Sequence, residues 1–117
     1  MKLKPILPSL KEKKRYVVFE IISKSRIKAF SAISKAIYAS SLSFAGDHGV
    51  ARMGLQVLPE KFDADEQKGM LRVSADMLDE LKASLALIED IEGEPCAIQS
   101  IGVSGILNKA EKKFMAG

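Results

Sequence analysis

The sequence predicts an α+β fold of the ferredoxin-like class, a βαββαβ chain with two helices on one face of a four-stranded antiparallel sheet. A short N-terminal helical turn and an extra C-terminal helix complete it. Three observations predict this. Strand-forming runs occur at residues 16–22, 50–58, 68–74 and 96–103. Apolar residues recur at helical spacing at 30–44 and 78–88. Taken together the order is strand, helix, strand, strand, helix, strand, for which short connections and right-handed crossovers leave few other topologies.

Each element has its own warrant. Pro5 and Pro8 keep the opening out of helix and inner strand, so residues 1–13 read as a basic arm and 14–117 as one domain. Ser9 and Glu12 have capping-box spacing, which predicts one helical turn before the first strand. In that strand Val17, Phe19 and Ile21 share one face, and Tyr16, Val18, Glu20 and Ile22 the other. After a polar connection at 24–28, Phe30, Ile33, Ile37 and Phe44 form a helical stripe with Ala29, Ala36 and Ser40. Gly46 is expected to end this helix. Ser31, Ser34, Lys35, Ser41 and Ser43 fall on its outer side, where small hydroxyls suit either a docked surface or water. Residues 47–49 are a turn.

The second strand, 50–58, turns Met53, Leu55 and Val57 inward and Arg52, Gly54 and Gln56 outward. Residues 59–67 are acidic and suit a long hairpin connection. The third strand points Leu71 and Val73 inward, Met70 and Arg72 outward. Ser74 or Asp76 then caps a helix with the stripe Leu78, Leu81, Leu85 and Ile88, which residues 92–95 stop. After the fourth strand, a turn at 102–105 leads into a closing helix with Lys109, Lys112 and Lys113. If both long helices lie on one face, the other displays Glu20, Arg52, Gln56 and Arg72, a polar open surface.

A chain of 117 residues, 47% hydrophobic and 28% charged, suits one soluble domain with a real core. No apolar run approaches the ~18 residues of a membrane span. The start lacks the apolar core of a signal peptide. A single cysteine, Cys96, excludes an internal disulfide, and a cytoplasmic location is expected. The net charge is +3, unevenly spread: residues 1–15 carry +5, 16–58 carry +3, 59–94 carry −7 and the remainder +2. Such asymmetry predicts a molecule with one pole that attracts polyanions.

Protein-based catalysis finds little support. His48 is the only histidine, so paired-histidine chemistry and histidine metal clusters are excluded. No serine has the context of an activated nucleophile. Cys96 falls in a strand, as an inert thiol would. Asp63, Asp65 and Glu66 lack the ligand spacing of a calcium loop, so no protein-bound metal is expected. The open sheet invites comparison with RNA-recognition sheets, whose rings stack bases, but Met70 and Val73 stand where rings are needed and Tyr16 is alone. Phosphate contact suits the residues better: Lys11, Lys13, Lys14 and Arg15 at one end, with Lys109, Lys112 and Lys113 adding to them. The turn of Gly102, Ser104 and Gly105 either presents free amides to an anion or is a plain cap. Three readings follow: an RNA-supporting protein, a ferredoxin-like module binding a small metabolite between dimerised sheets, or a nuclease in its own right.

Residues 7–16, Leu-Pro-Ser-Leu-Lys-Glu-Lys-Lys-Arg-Tyr, followed by Phe19-Glu20-Ile21-Ile22-Ser23, resemble the start of archaeal ribonuclease P protein component 2. Gly69-Met70-Leu71-Arg72-Val73-Ser74, Leu85-Ala86-Leu87-Ile88 and Ile101-Gly102-Val103-Ser104-Gly105 are similar to its later blocks, in the same order. The resemblance covers about residues 7–114, and it departs at 24–28, where the connection is short. It implies a subunit of a ribonucleoprotein endonuclease that removes 5′ leaders from precursor tRNA, with Mg²⁺-dependent hydrolysis carried by the RNA and no cofactor on the protein. It implies three partners: ribonuclease P RNA, precursor tRNA, and ribonuclease P protein component 3, with two such protein pairs joined through component 2. By analogy RNA falls to residues 11–15 and 102–113, more weakly to Arg52 and Arg72, and a protein interface to Ser31, Ser34, Lys35 and Ser41.

Overall fold

The computed structural model describes residues 13–115. The helical turn expected at 9–12, most of the arm and Lys11 lie outside them. The first strand, β1 (Lys14–Ser23), is the centre of the molecule, and Val17, Val18 and Phe19 have no exposed surface. It pairs antiparallel with β3 (Lys68–Ser74) on one side and β5 (Glu94–Ser104) on the other. β2 (Gln56–Asp63) flanks β3 and a two-residue β4 (Asp90–Ile91) flanks β5, in the order β2-β3-β1-β5-β4. Helices α1 (Phe30–Met53) and α2 (Leu78–Ala86) cover one face, their Ile33, Ile37, Leu81 and Leu85 packed with Val17, Phe19 and Leu71. The stripe expected on α2 is the buried one. A third helix, α3 (Leu107–Ala110), continues as a π turn, Glu111–Met115, on the opposite face.

Five strands stand where four are expected. The extra one arises because Glu92 (φ 48°) and Gly93 (φ 87°) both take the left-handed turn geometry that closes a two-residue hairpin. These residues do not merely stop a helix; they fold Asp90 and Ile91 back on Pro95 and Glu94. The long helix also runs further than expected. Gly46 (φ 76°, ψ 178°) does break the helical backbone where a stop is expected, but helix resumes beyond it to Met53, and Gly54, left-handed at φ 55° and ψ 36°, terminates that second segment of α1. Residues 50–53 are therefore helical, β2 starts at Gln56, and Arg52 sits on the last turn of a helix rather than on the sheet. Pro59 is accommodated because β2 is an edge strand whose register shifts between Leu58 and Asp63.

Two residues of α1 exchange sides. Ser41 is fully buried and continues the inner row of Ile33 and Ile37, whereas Phe44 is 47% exposed. Serines are what the inner face needs there, because α1 and α2 approach closely: the Ser40 hydroxyl donates to the Ser84 carbonyl at 2.6 Å. Ser41 is thus not available as an outer docking residue.

Gln67 ties the connections together. Its backbone is left-handed at φ 55°, and its carbonyl accepts from Ile21 N–H at 2.8 Å. Its buried side chain accepts from Ile27 N–H at 2.9 Å and donates to the carbonyls of Ile27 (3.0 Å) and Ala64 (2.9 Å). Truncation strands three polar groups, each costing about 1–3 kcal/mol if left unpaired in a buried place. Gln67→Ala should therefore lower the urea midpoint by the equivalent of about 2 kcal/mol or more, with an unchanged denaturant slope.

Candidate nucleic-acid interface

Strand direction sorts the charge. β1 begins beside the ends of β3 and β5 and the start of β2, since Lys14 pairs with Ser74, Tyr16 with Ser104 and with Arg72, and Arg72 with Gln56. Lys13, Lys14 and Arg15 share that end with Arg72, Ser104 and Gly105, and with Arg52 just before the turn into β2. At the other end lie the β2–β3 turn, with Asp63, Asp65 and Glu66, and the β4–β5 turn, with Asp90, Glu92 and Glu94. Residues scattered over some ninety positions of sequence thus gather into a basic cluster at one end, with Asp76 at its edge. The far end mixes its carboxylates with Lys24, Arg26 and Lys28, Arg26 meeting Asp65 at 3.4 Å.

The face away from α1 and α2 has two rows. One is polar and runs Gln56, Arg72, Tyr16, Ser104 across four strands. The Arg72 guanidinium donates to Gln56 Oε1 at 2.6 Å, and its Nε is buried without a partner among the described residues. Arg15 Nη1 donates to the Lys14 carbonyl at 3.0 Å, and a Cβ on Gly105 would stand 3.4 Å from it. The next row, buried Leu58, Met70 and Val18 with half-buried Gly102, is apolar and lies beneath residues 107–115, which form a strap over it. Ala110 is fully buried there, with Leu107, Phe114 and Met115 packed around it. The open polar face expected from the sequence is in this part a second core. Sequence could have signalled it: Leu107, Ala110 and Phe114 recur at helical spacing.

The turn at 102–105 differs from both readings offered for it. Gly102 is a strand residue paired with Val18, and the Phe114 ring lies on it so closely that a Cβ would come within 2.3 Å. Ser104 closes the turn rather than the helix: its Oγ accepts from Ile106 N–H and donates to the Ile106 carbonyl, both at 3.1 Å. The helix cap is Ile106, which makes no side-chain cap bond. Of the basic residues named for RNA, Lys13, Lys109, Lys112 and Lys113 are exposed, as is Arg52; Lys14, Arg15 and Arg72 are half-buried. Sequence reasoning missed Lys61 and Lys68, which hold the strap. Lys61 Nζ meets the Glu111 carboxylate at 3.1 Å and Lys68 Nζ donates to the Phe114 carbonyl at 3.3 Å.

Elsewhere the chemistry is sparse. Cys96 is half-buried in β5, and its thiol is pushed up from the ordinary range by burial, then by the carboxylates of Asp90 and Glu94. A raised thiol is a poor nucleophile at neutral pH. Among the described residues no cluster of His, Cys, Asp and Glu could hold a metal ion, and no helix is long and apolar enough to cross a membrane. A cavity of about 450 Å³ between the bulged part of β2 and the strap is lined by Glu60, Asp63, Asp65 and Glu111 against the single cation Lys61, a net acidic lining of the wrong sign for a polyanion.

Fold and surface together define an antiparallel α/β sandwich with a cationic pole and lysines along a strap over its second face. Residues 15–115 match the model of the Rpp14/Pop5 family. Similar proteins named ribonuclease P protein component 2 occur in Thermococcus kodakarensis (34% identity, covering 98% of this chain and 93% of that one) and Methanococcus vannielii (37%, 97% and 83%). Another is found in Pyrococcus horikoshii (32%, 98% and 93%). The chain belongs to the Rpp14/Pop5 family. Its fold is similar to a chain in the cryo-EM structure of yeast ribonuclease MRP, with a TM-score of 0.62 at 13% identity, covering 80% of this chain and 75% of that one.

Proposed function

We propose that this chain is the protein component 2 subunit of a ribonuclease P, supporting an RNA that removes 5′ leaders from precursor tRNA. The observation that carries the reading is the cationic pole, assembled from distant residues in a chain that spans almost the full length of relatives bearing that name. Lys13, Lys14 and Arg15 neutralise backbone phosphates, aided by Arg52, Arg72 and the strap lysines, Lys109, Lys112 and Lys113. Mg²⁺ and the hydrolytic step belong to the RNA, and the chain by itself cleaves nothing. The order β2-β3-β1-β5 supports a ferredoxin-like class with β4 as an addition, and residues 14–117 as one domain. Protein component 3 is the protein partner, two such pairs join through this subunit, and the assembly is cytoplasmic. Ser31, Ser34 and Lys35 on the outer side of α1, near exposed Tyr38 and Leu42, suit the protein contact. A metabolite held between dimerised sheets is the weaker reading, because the strap already occupies much of the face those sheets would share.

The test is reconstitution of precursor tRNA cleavage at limiting Mg²⁺ with and without this chain. Stimulation that depends on the RNA component is the expected result. Cleavage by the polypeptide with no RNA component, or an indifferent holoenzyme, would sink the proposal.

A further inference from the structure

Resting on that reading, we infer that Phe114 seated on Gly102 is a latch that fixes the strap's lysines in register for RNA phosphates. The strap cannot hold its own shape: four α-helical residues and a five-residue π turn are far below the ~12–15 residues at which an isolated helix is even marginal. The positions of Lys109, Lys112 and Lys113 therefore come from packing on the sheet. Ala110 supplies one anchor, over Val18, Leu58 and Met70. Lys61, part-buried, meets both Glu111 oxygens at 3.1 Å, and Lys68 Nζ donates to the Phe114 carbonyl at 3.3 Å, polar ties that hold the backbone without seating the ring. Phe114 is the distal anchor, and it fits only because position 102 has no side chain. It also touches the charge directly, since Lys113 Nζ stands 5.7 Å from its ring centroid, within cation–π range.

The alternative, a lid that swings off to bare a base-stacking platform, is disfavoured by what lies beneath. Leu58, Met70, Val18 and Gly102 offer no ring to a base, and Tyr16 at the edge of that cluster is a single ring rather than a stacking platform. The strap is part of the binding surface rather than a cover for it. Gly102 and Phe114 are accordingly positioning residues, acting through the lysines.

The experiment measures binding of the full chain to an archaeal ribonuclease P RNA transcript across a salt titration. Replacing Lys109, Lys112 and Lys113 together with alanine should reduce the log–log slope by about 2–3, at 0.7–0.9 per phosphate contact. Gly102→Ala, which changes no charge but drives the ring off, should lose most of the same increment. Combined with the triple lysine variant it should add little. Phe114→Leu placed in the Gly102→Ala chain, giving the new methyl room, should restore part of the slope. Circular dichroism checks that each chain is folded, and Phe114→Ala substitutes if Gly102→Ala is not. A wild-type slope in both single variants, full additivity with the lysine variant, or tighter binding on unlatching each overturns the latch alone. A wild-type chain with no salt-dependent binding overturns the latch and the underlying reading of function together.

Discussion

Alanine at Lys13, Lys14 and Arg15 together should flatten the salt dependence of RNA binding by about 2–3 in log–log slope. Each lysine or arginine that neutralises a phosphate releases condensed counterions, so its contribution shrinks as salt rises. Raising salt from 50 to 200 mM should then weaken the variant about 20- to 40-fold less than it weakens the wild type. The fold should survive, since Lys13 is exposed and the other two are half-buried at a strand end. Their location makes this effect as large as that of the three strap lysines. They stand where four strands begin or end, with Arg72 one row away and the acidic turns at the far end of the sheet. An unchanged slope would remove this pole from the RNA surface, and a lost circular dichroism signal would show that the residues support β1 instead.

What could be read from the chain, and what could not, follows from the range of the forces involved. The central strand was legible because Val17, Phe19 and Ile21 alternate cleanly and their burial is dictated by that alternation alone. The stripe of α2 was legible for the same reason at helical spacing. Gly46 was legible as a break, but the helical segment beyond it was not, because residues 50–53 alternate as a strand would and only the tertiary burial of Met53 sets them as helix. Ser41 misled because a hydroxyl reads as solvent-facing, while here small size matters more than polarity at a tight helix crossing. The strap was visible as a basic helix, but its docking depends on Gly102 meeting Phe114, two residues whose partnership no local pattern announces. The basic pole lay between these cases. Its charge was plain in the first fifteen residues, whereas the addition of Arg72 and the exclusion of Arg52 from the sheet required the register.

Removing the Phe19 ring should be the costliest change to stability, at about 3–5 kcal/mol for Phe19→Ala. The side chain has no exposed surface and sits at the centre of the central strand, facing Gly69 directly across the β1–β3 ladder. Gly69 is there to receive it, since a Cβ would come within 2.5 Å of the ring tip. Neighbours cannot collapse easily into the space, because β2 has no register partner opposite Gly69 and bulges away from it. The loss is a large part of the ~5–15 kcal/mol that holds a domain of this kind together. Phe19→Leu should cost well under half as much, since most of the apolar volume remains. Gly69→Ala should be strongly destabilising in the wild-type chain and markedly less so beside Phe19→Leu, a coupling that denaturant midpoints in a double-mutant cycle would measure. A cost below about 1 kcal/mol for Phe19→Ala would contradict the packing described. At temperatures where the Phe19→Leu chain is still folded, its RNA salt slope should match the wild type, because the ring lies on the helix-covered face and the phosphate contacts on the pole and the strap.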